Sequence, residues 1–199
     1  VRSRCTRSGA QLIFDEIQSG FGRTGQLFAF MRYGITPDIL TMAKAMGGGL
    51  PIGGFAASDA LFKVFTENPP LAHVTTFGGH PLSCAAGHAA LRVLLDEHLC
   101  ERALEIEQRI RLGLIHPLIR EIRGHGCMLG LSLSDYDTTA AVVEQAFQRR
   151  ILLGWTLHSN TLIRVAPPLT IPFEVLDHTL SQLRDALDHV LDHLLATSQ

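Results

Sequence analysis

The chain has 199 residues and a mass of 21.8 kDa, enough for one large domain or two small ones around a sizeable core. Hydrophobic residues make up 46% and charged residues 18%, which excludes a disordered or linker-like chain. Basic and acidic residues number 17 and 19, a net charge of −2, so neither nucleic acid nor an anionic membrane surface is an expected partner.

Val1 to Gly9 carry Arg and Ser without an apolar leader, and no run of 18 apolar residues occurs, so the expectation is a cytoplasmic protein. The basic stub runs directly into an apolar pattern, as expected of a sequence that begins inside a longer one. Gln11 to Ile17 is a short apolar run ending in acids, the pattern of a buried parallel strand, and it places Asp15 at the strand's carboxyl end. A glycine-punctuated stretch, Ser19 to Gly25, follows. Pro37 to Met42 is a second strand that delivers Lys44 to a loop with three glycines, Gly47 to Gly49. Pro51 to Ala57 reads as a third strand. Ser58 caps a helix running to about Thr66, with Leu61, Phe62 and Phe65 at helical spacing.

Thr75 to Pro81 is a turn cluster, and Pro81 opens one long helix from Leu82 to about Leu112. Ile119–Arg123 and Met128–Leu133 flank a Gly-His-Gly turn and predict a hairpin. A helix over 138–150 and short strands at 152–155 and 162–166 come next, and Pro167 and Pro168 end the sheet because proline lacks the ladder donor. Phe173, Leu176, Leu180, Leu183, Leu187, Val190 and Leu194 recur at helical spacing, a C-terminal helix with Pro172 in its first turn. The fold class is therefore α/β, with residues 1–105 belonging to a larger domain and 106–199 forming a small α+β domain.

Only two lysines occur against 15 arginines. Lys63 lies on the helix of Leu61 and Phe65, where a solvated amine is ordinary. Lys44 follows an apolar strand and is set among alanines and glycines, where a flat ligand can approach and desolvation would make its amine a nucleophile. Two readings stand: a Schiff-base lysine, or a buried lysine paired with an acid. Asp15 and Lys44 both fall at carboxyl ends of parallel strands, the edge where open α/β sheets bind ligands. A cofactor such as pyridoxal phosphate needs such an amine, a carboxylate for its ring nitrogen and donors for its phosphate.

Asp15-Glu-Ile-Gln-Ser-Gly-Phe-Gly-Arg-Thr-Gly25, then Pro37 to Gly53, then Thr76-Phe-Gly-Gly-His-Pro81, resemble the class III aminotransferases in order and spacing. The likeness continues through Ile122 to Gly130 and Leu162 to Leu169. It implies the C-terminal half of a fold-type I enzyme dependent on pyridoxal 5'-phosphate. Such an enzyme moves an amino group from an ω-amine donor to a 2-oxo acid such as 2-oxoglutarate. The same resemblance implies that Lys44 forms the Schiff base and shuttles the proton, that Asp15 pairs with the ring nitrogen, that Ile17 packs on one ring face from further along the strand, and that Gln18 reaches the phenolic oxygen. Thr76 would enter the phosphate site of the neighbouring subunit, making the expected partner a second copy in a homodimer with shared active sites. Arg164 matches the arginine that clamps a substrate carboxylate, the alternative being an interdomain ion pair.

One departure is His80, where the family usually has asparagine. Another is length: the family's preceding half, with its phosphate loop and stacking aromatic, is not found here, which keeps a truncated or non-catalytic chain as an alternative. A related racemase or aminomutase is a further alternative, since it uses the same lysine and aspartate. No metal is expected: Cys5, Cys84, Cys100 and Cys127 are widely spaced, and His189 and His193 sit beside Asp188 and Asp192 on a solvated face. Gly20-x-Gly22 lacks the context of a nucleotide fold, and Ser83 and Ser159 lack a nucleophile elbow.

Overall fold

The computed structural model describes residues 1–67, 73–156 and 158–197. The chain divides into two compact units, Val1–Cys100 and Glu101–Gln199, where the sequence suggested a division after residue 105.

The first unit opens with helix α1 (Arg2–Ser8), closed by Gly9 in the left-handed conformation. The sequence reading missed it, because its residues form no apolar stripe and none is buried. Strand β1 (Ile13–Asp15) is shorter than predicted, since the Asp15 carboxylate accepts the Ile17 N–H at 3.0 Å and turns the chain out of the ladder. Strand β2 (Ile39–Met42) runs parallel to β1, with Phe14 opposite Leu40 and Asp15 opposite Thr41. Strand β3 (Gly54–Ala57) returns antiparallel to β2 and completes a three-stranded sheet of order β1-β2-β3. It begins later than predicted, after the loop through Pro51 to Gly53.

The predicted helix after Ser58 is split into α2 (Asp59–Phe62) and α3 (Val64–Glu67) at Lys63, which is exposed. Ser58 occupies the capping position through its backbone carbonyl, which accepts the Leu61 and Phe62 N–H groups, and its hydroxyl makes no cap bond. The single long helix of the sequence reading is two helices, α4 (Pro81–Asp96) and α5 (Leu99–Gly113). His98 adopts a left-handed backbone at φ 51°, which stops the helical hydrogen-bond run although the apolar spacing continues past it.

The second unit is a four-stranded antiparallel sheet of order β4-β5-β7-β6, packed with helices. The hairpin β4 (Glu121–His125) and β5 (Met128–Ser132) closes through Gly124, whose Cβ would lie on the Met128 carbonyl, so only glycine fits there. Helix α6 (Tyr136–Gln148) is capped by Asp135, which accepts the Thr138 N–H at 2.8 Å. Strands β6 (Gly154–Thr156) and β7 (Ser159–Val165) and helix α7 (Phe173–Thr197) complete it. Ile106 and Ile110 of α5, Leu114 just past its end, Leu129 and Leu131 of β5, Ile163 of β7 and Leu180, Leu183 and Leu187 of α7 form one buried cluster. Each such side chain contributes about 1.5–3 kcal/mol through burial. Phe173 at the head of α7 lies between the guanidinium groups of Arg102 and Arg109, 4.2 and 4.1 Å from its ring centre, and Arg102 also donates to the Leu169 and Ile171 carbonyls.

Candidate active site

β1 and β2 end side by side, and that shared edge carries the first group of candidate residues. Asp15 is the last residue of β1, and its register partner Thr41 is followed, just past the end of β2, by Lys44. The expectation that both acidic and amino groups sit at carboxyl ends of neighbouring parallel strands is met. Asp15 is exposed, and only its Oδ1 is engaged, by the Ile17 N–H, among the described residues.

Lys44 begins a 3-10 turn, Lys44–Gly47, with a left-handed backbone at φ 51°. For a residue with a Cβ that conformation costs about 1–2 kcal/mol. The turn is seated on α4 through Gly48, itself at φ 56°, where an added Cβ would lie 2.7 Å from Ala90 Cβ and 2.9 Å from the Ala86 carbonyl. The amine is exposed and has no hydrogen-bond or ion-pair partner among the described residues. This corrects the expectation of a confined lysine and also the alternative of a buried ion pair, because the flanking Ala43, Ala45 and Gly47 are too small to wall it in.

Ile17 is half-buried and stands beyond the end of β1 rather than on it, and Gln18 is exposed with its amide free of partners among the described residues. Thr76 lies in the exposed segment before α4, and its hydroxyl has no partner among the described residues. That segment borders a concavity of about 680 Å³ lined by Thr41, Gly53, Gly54, Phe55, His73 and Gly79. The His73 and Phe55 rings, 5.0 Å apart edge to face, hold its start on β3. His80 occupies the capping position of α4 with no side-chain cap bond, and Pro81 follows as the first helical residue.

Arg164 belongs to the second unit, on β7, opposite Gly130 of β5 and Gly154 of β6. It is exposed, makes no ion pair among the described residues, and lies across Gly154, where a Cβ would come within 3.1 Å of its Nη2. Glycine at 154 thus leaves room for the guanidinium, and the side chain is open to solvent.

One residue escaped the sequence reading. Glu16, beside Asp15, is only 4% exposed, and its carboxylate accepts from the Ser19 hydroxyl at 2.5 Å and from the Ala29 and Phe30 N–H groups at 3.0 and 2.8 Å. The signal available was the paired acid directly before a glycine-rich loop. Among the described residues no group of three or more His, Cys, Asp or Glu side chains is placed to hold a metal ion, and no helix is long and apolar enough to cross a membrane.

Residues 1–187 match the family model described as aminotransferase class-III. A putrescine aminotransferase from Pectobacterium atrosepticum is 43% identical over 194 residues, covering 94% of this chain and 41% of that protein. Among solved structures, an aminotransferase from Bacillus anthracis superposes with a TM-score of 0.86 at 32% identity, over 95% of this chain and 47% of that one. The ornithine aminotransferase of Toxoplasma gondii gives the same TM-score, 0.86, at 32% identity over 96% and 46%. The acetylornithine aminotransferase of Elizabethkingia anophelis gives 0.83 at 32% identity over 94% and 48%. The chain therefore spans about half the length of the relatives it matches, and the architecture is that of fold-type I aminotransferases. By sequence and by fold, the chain belongs to the class III aminotransferase family.

Proposed function

We propose that the protein of which these residues form part is a pyridoxal-phosphate-dependent aminotransferase that takes an amino group from an ω-amine donor and delivers it to a 2-oxo acid such as 2-oxoglutarate. The observation that carries the reading is Lys44: an amine without a partner among the described residues, on a left-handed backbone, at the strand edge it shares with Asp15. Strained backbone at a single charged residue is a marker of function when the surrounding turn holds it in place. The donor class is supported by the relatives, which are named for putrescine, ornithine and acetylornithine.

The residues present fit the cofactor by their chemistry, since an amine, a carboxylate with one unengaged oxygen and an amide, the amine and amide without partners among the described residues, stand at or near one edge of the sheet, among small residues. When bound, the cofactor supplies a carbonyl that takes up the amino group and a ring that accepts the electrons released. Lys44 Nζ would hold it and, once released, would take the proton from the substrate carbon as a general base. Asp15 keeps a proton at the ring nitrogen by placing a negative charge beside it. Ile17 covers one face of the ring and Gln18 donates to its phenolic oxygen. Thr76 donates to the phosphate of the second subunit in a homodimer, and Arg164 binds the substrate carboxylate through both arms of its guanidinium.

The test is amino transfer from putrescine to 2-oxoglutarate by the full-length protein and by Lys44→Ala. We expect the variant to lose at least about a thousandfold in kcat while keeping its circular-dichroism fold. A variant with near-wild-type transfer would overturn the assignment.

A further inference from the structure

Asp15 and Gln18 are exposed at and just past the end of a strand that is three residues long, so something must fix them, and the buried residue between the two is Glu16. Its N–H donates to the Thr41 carbonyl at 3.1 Å, carrying the β1–β2 pairing one residue past the strand. The Glu16 carbonyl accepts the Gly20 N–H at 2.9 Å and closes the turn that contains Gln18. The buried carboxylate then gathers three donors from further along the chain: the Ser19 hydroxyl and the Ala29 N–H on Oε2, and the Phe30 N–H on Oε1. The loop between them is stiffened by the ring contact of Phe21 with Phe28, 5.5 Å between centres, and Phe28 in turn stacks on Phe30.

We infer that Glu16 is a positioning residue: its carboxylate ties the loop of Ser19–Phe30 to the end of β1 and so sets where Asp15 and Gln18 meet the cofactor ring. The inference rests on the function proposed above. A carboxylate suits the place because it accepts on both oxygens and donates on neither. Glutamine has the same shape but one acceptor and one donor, so whichever way its amide is turned, at least one backbone N–H of Ala29 or Phe30 faces a donor. A buried mismatch of that kind is the costly case in hydrogen bonding, because the orphaned group keeps its full desolvation penalty.

The experiment uses the full-length protein, stripped of cofactor and titrated with pyridoxal phosphate. The dissociation constant is read from the visible absorption, and the band position and visible circular dichroism are normalised to cofactor bound. Glu16→Gln is expected to weaken binding roughly ten- to a hundredfold and to change the band position and the dichroism per bound cofactor. Ser19→Ala, which removes one of the three donors and leaves the carboxylate, is expected to move the same quantities in the same direction by less, and it decides the matter if Glu16→Gln does not fold. A purely structural role would lower the amount of folded protein and leave the per-site spectrum at its wild-type value. That result in either folded variant, with an unchanged dissociation constant, overturns the inference and leaves the function intact. Absence of any cofactor band in the wild-type protein overturns the function itself, and the inference with it.

Discussion

Asp38 shows how a single carboxylate can organise the entry to a sheet. Its Oδ2 accepts from the Leu12 N–H and from Arg2 Nη1, both at 2.7 Å, while its own N–H donates to the Leu12 carbonyl at 2.8 Å. The Leu12 N–H, and secondarily Arg2, hold its carboxyl below the ordinary value of 3.8. A lowered folded value means that the contribution is fully present above the unfolded value and is lost as pH falls through the folded one. The stability difference between wild type and Asp38→Asn should therefore be constant from neutrality down to about pH 4 and shrink below it, followed by urea unfolding at a series of pH values. A gap that widens on acidification would refute the assignment. At this scale the sequence was a partial guide. The placement of Asp15 and Lys44 at strand ends was legible because a short apolar run precedes each, whereas the burial of Glu16 was not, because its donors at Ser19, Ala29 and Phe30 come together only when the loop folds back.

Among the elements, the turn that carries Lys44 depends on its seat against α4. Gly48 combines a left-handed backbone with an approach to α4 too close for a methyl group, so Gly48→Ala meets both a conformational cost and a clash with Ala86 and Ala90. We expect a loss of roughly 2 kcal/mol or more in chemical denaturation, and a variant as stable as wild type would show that the turn is not seated there. The strands were readable because a short apolar run bounded by Gly and Pro is too brief for a stable helix and the right length for a buried strand. Helix α1 was not, since Arg2–Ser8 buries nothing and its order comes from contacts such as Arg2 with Asp38. The break between α4 and α5 was hidden for the opposite reason: buried Leu94 and Leu99 keep the apolar rhythm on both sides of His98, and only the backbone at His98 reveals the stop.

Over the whole molecule, the buried apolar cluster is unevenly shared. It runs from Ala103 to Val190, entirely within the second unit, whereas β1 and β2 have no residue among the buried. Local stability follows buried apolar contact, so amides of β5, β7 and α7 should exchange with deuterium roughly a hundredfold more slowly than those of β1–β3 in the 199-residue chain. Equal protection in both units would contradict this. The sequence places its division within the long apolar pattern that became α4 and α5, a few residues from the boundary between the two units, while the uneven depth of the two cores was not legible, since burial depends on which faces are covered.

The strand order β1-β2-β3 leaves β1 with one hydrogen-bonded neighbour among the described residues, and Ile13 on it is 55% exposed. A strand paired on that rim would run about 4.8 Å from β1, with its own end beside Asp15. Such a strand would lessen the water around the Asp15 carboxylate, so the edge of the sheet would bear on the electrostatics of the site as well as on attachment.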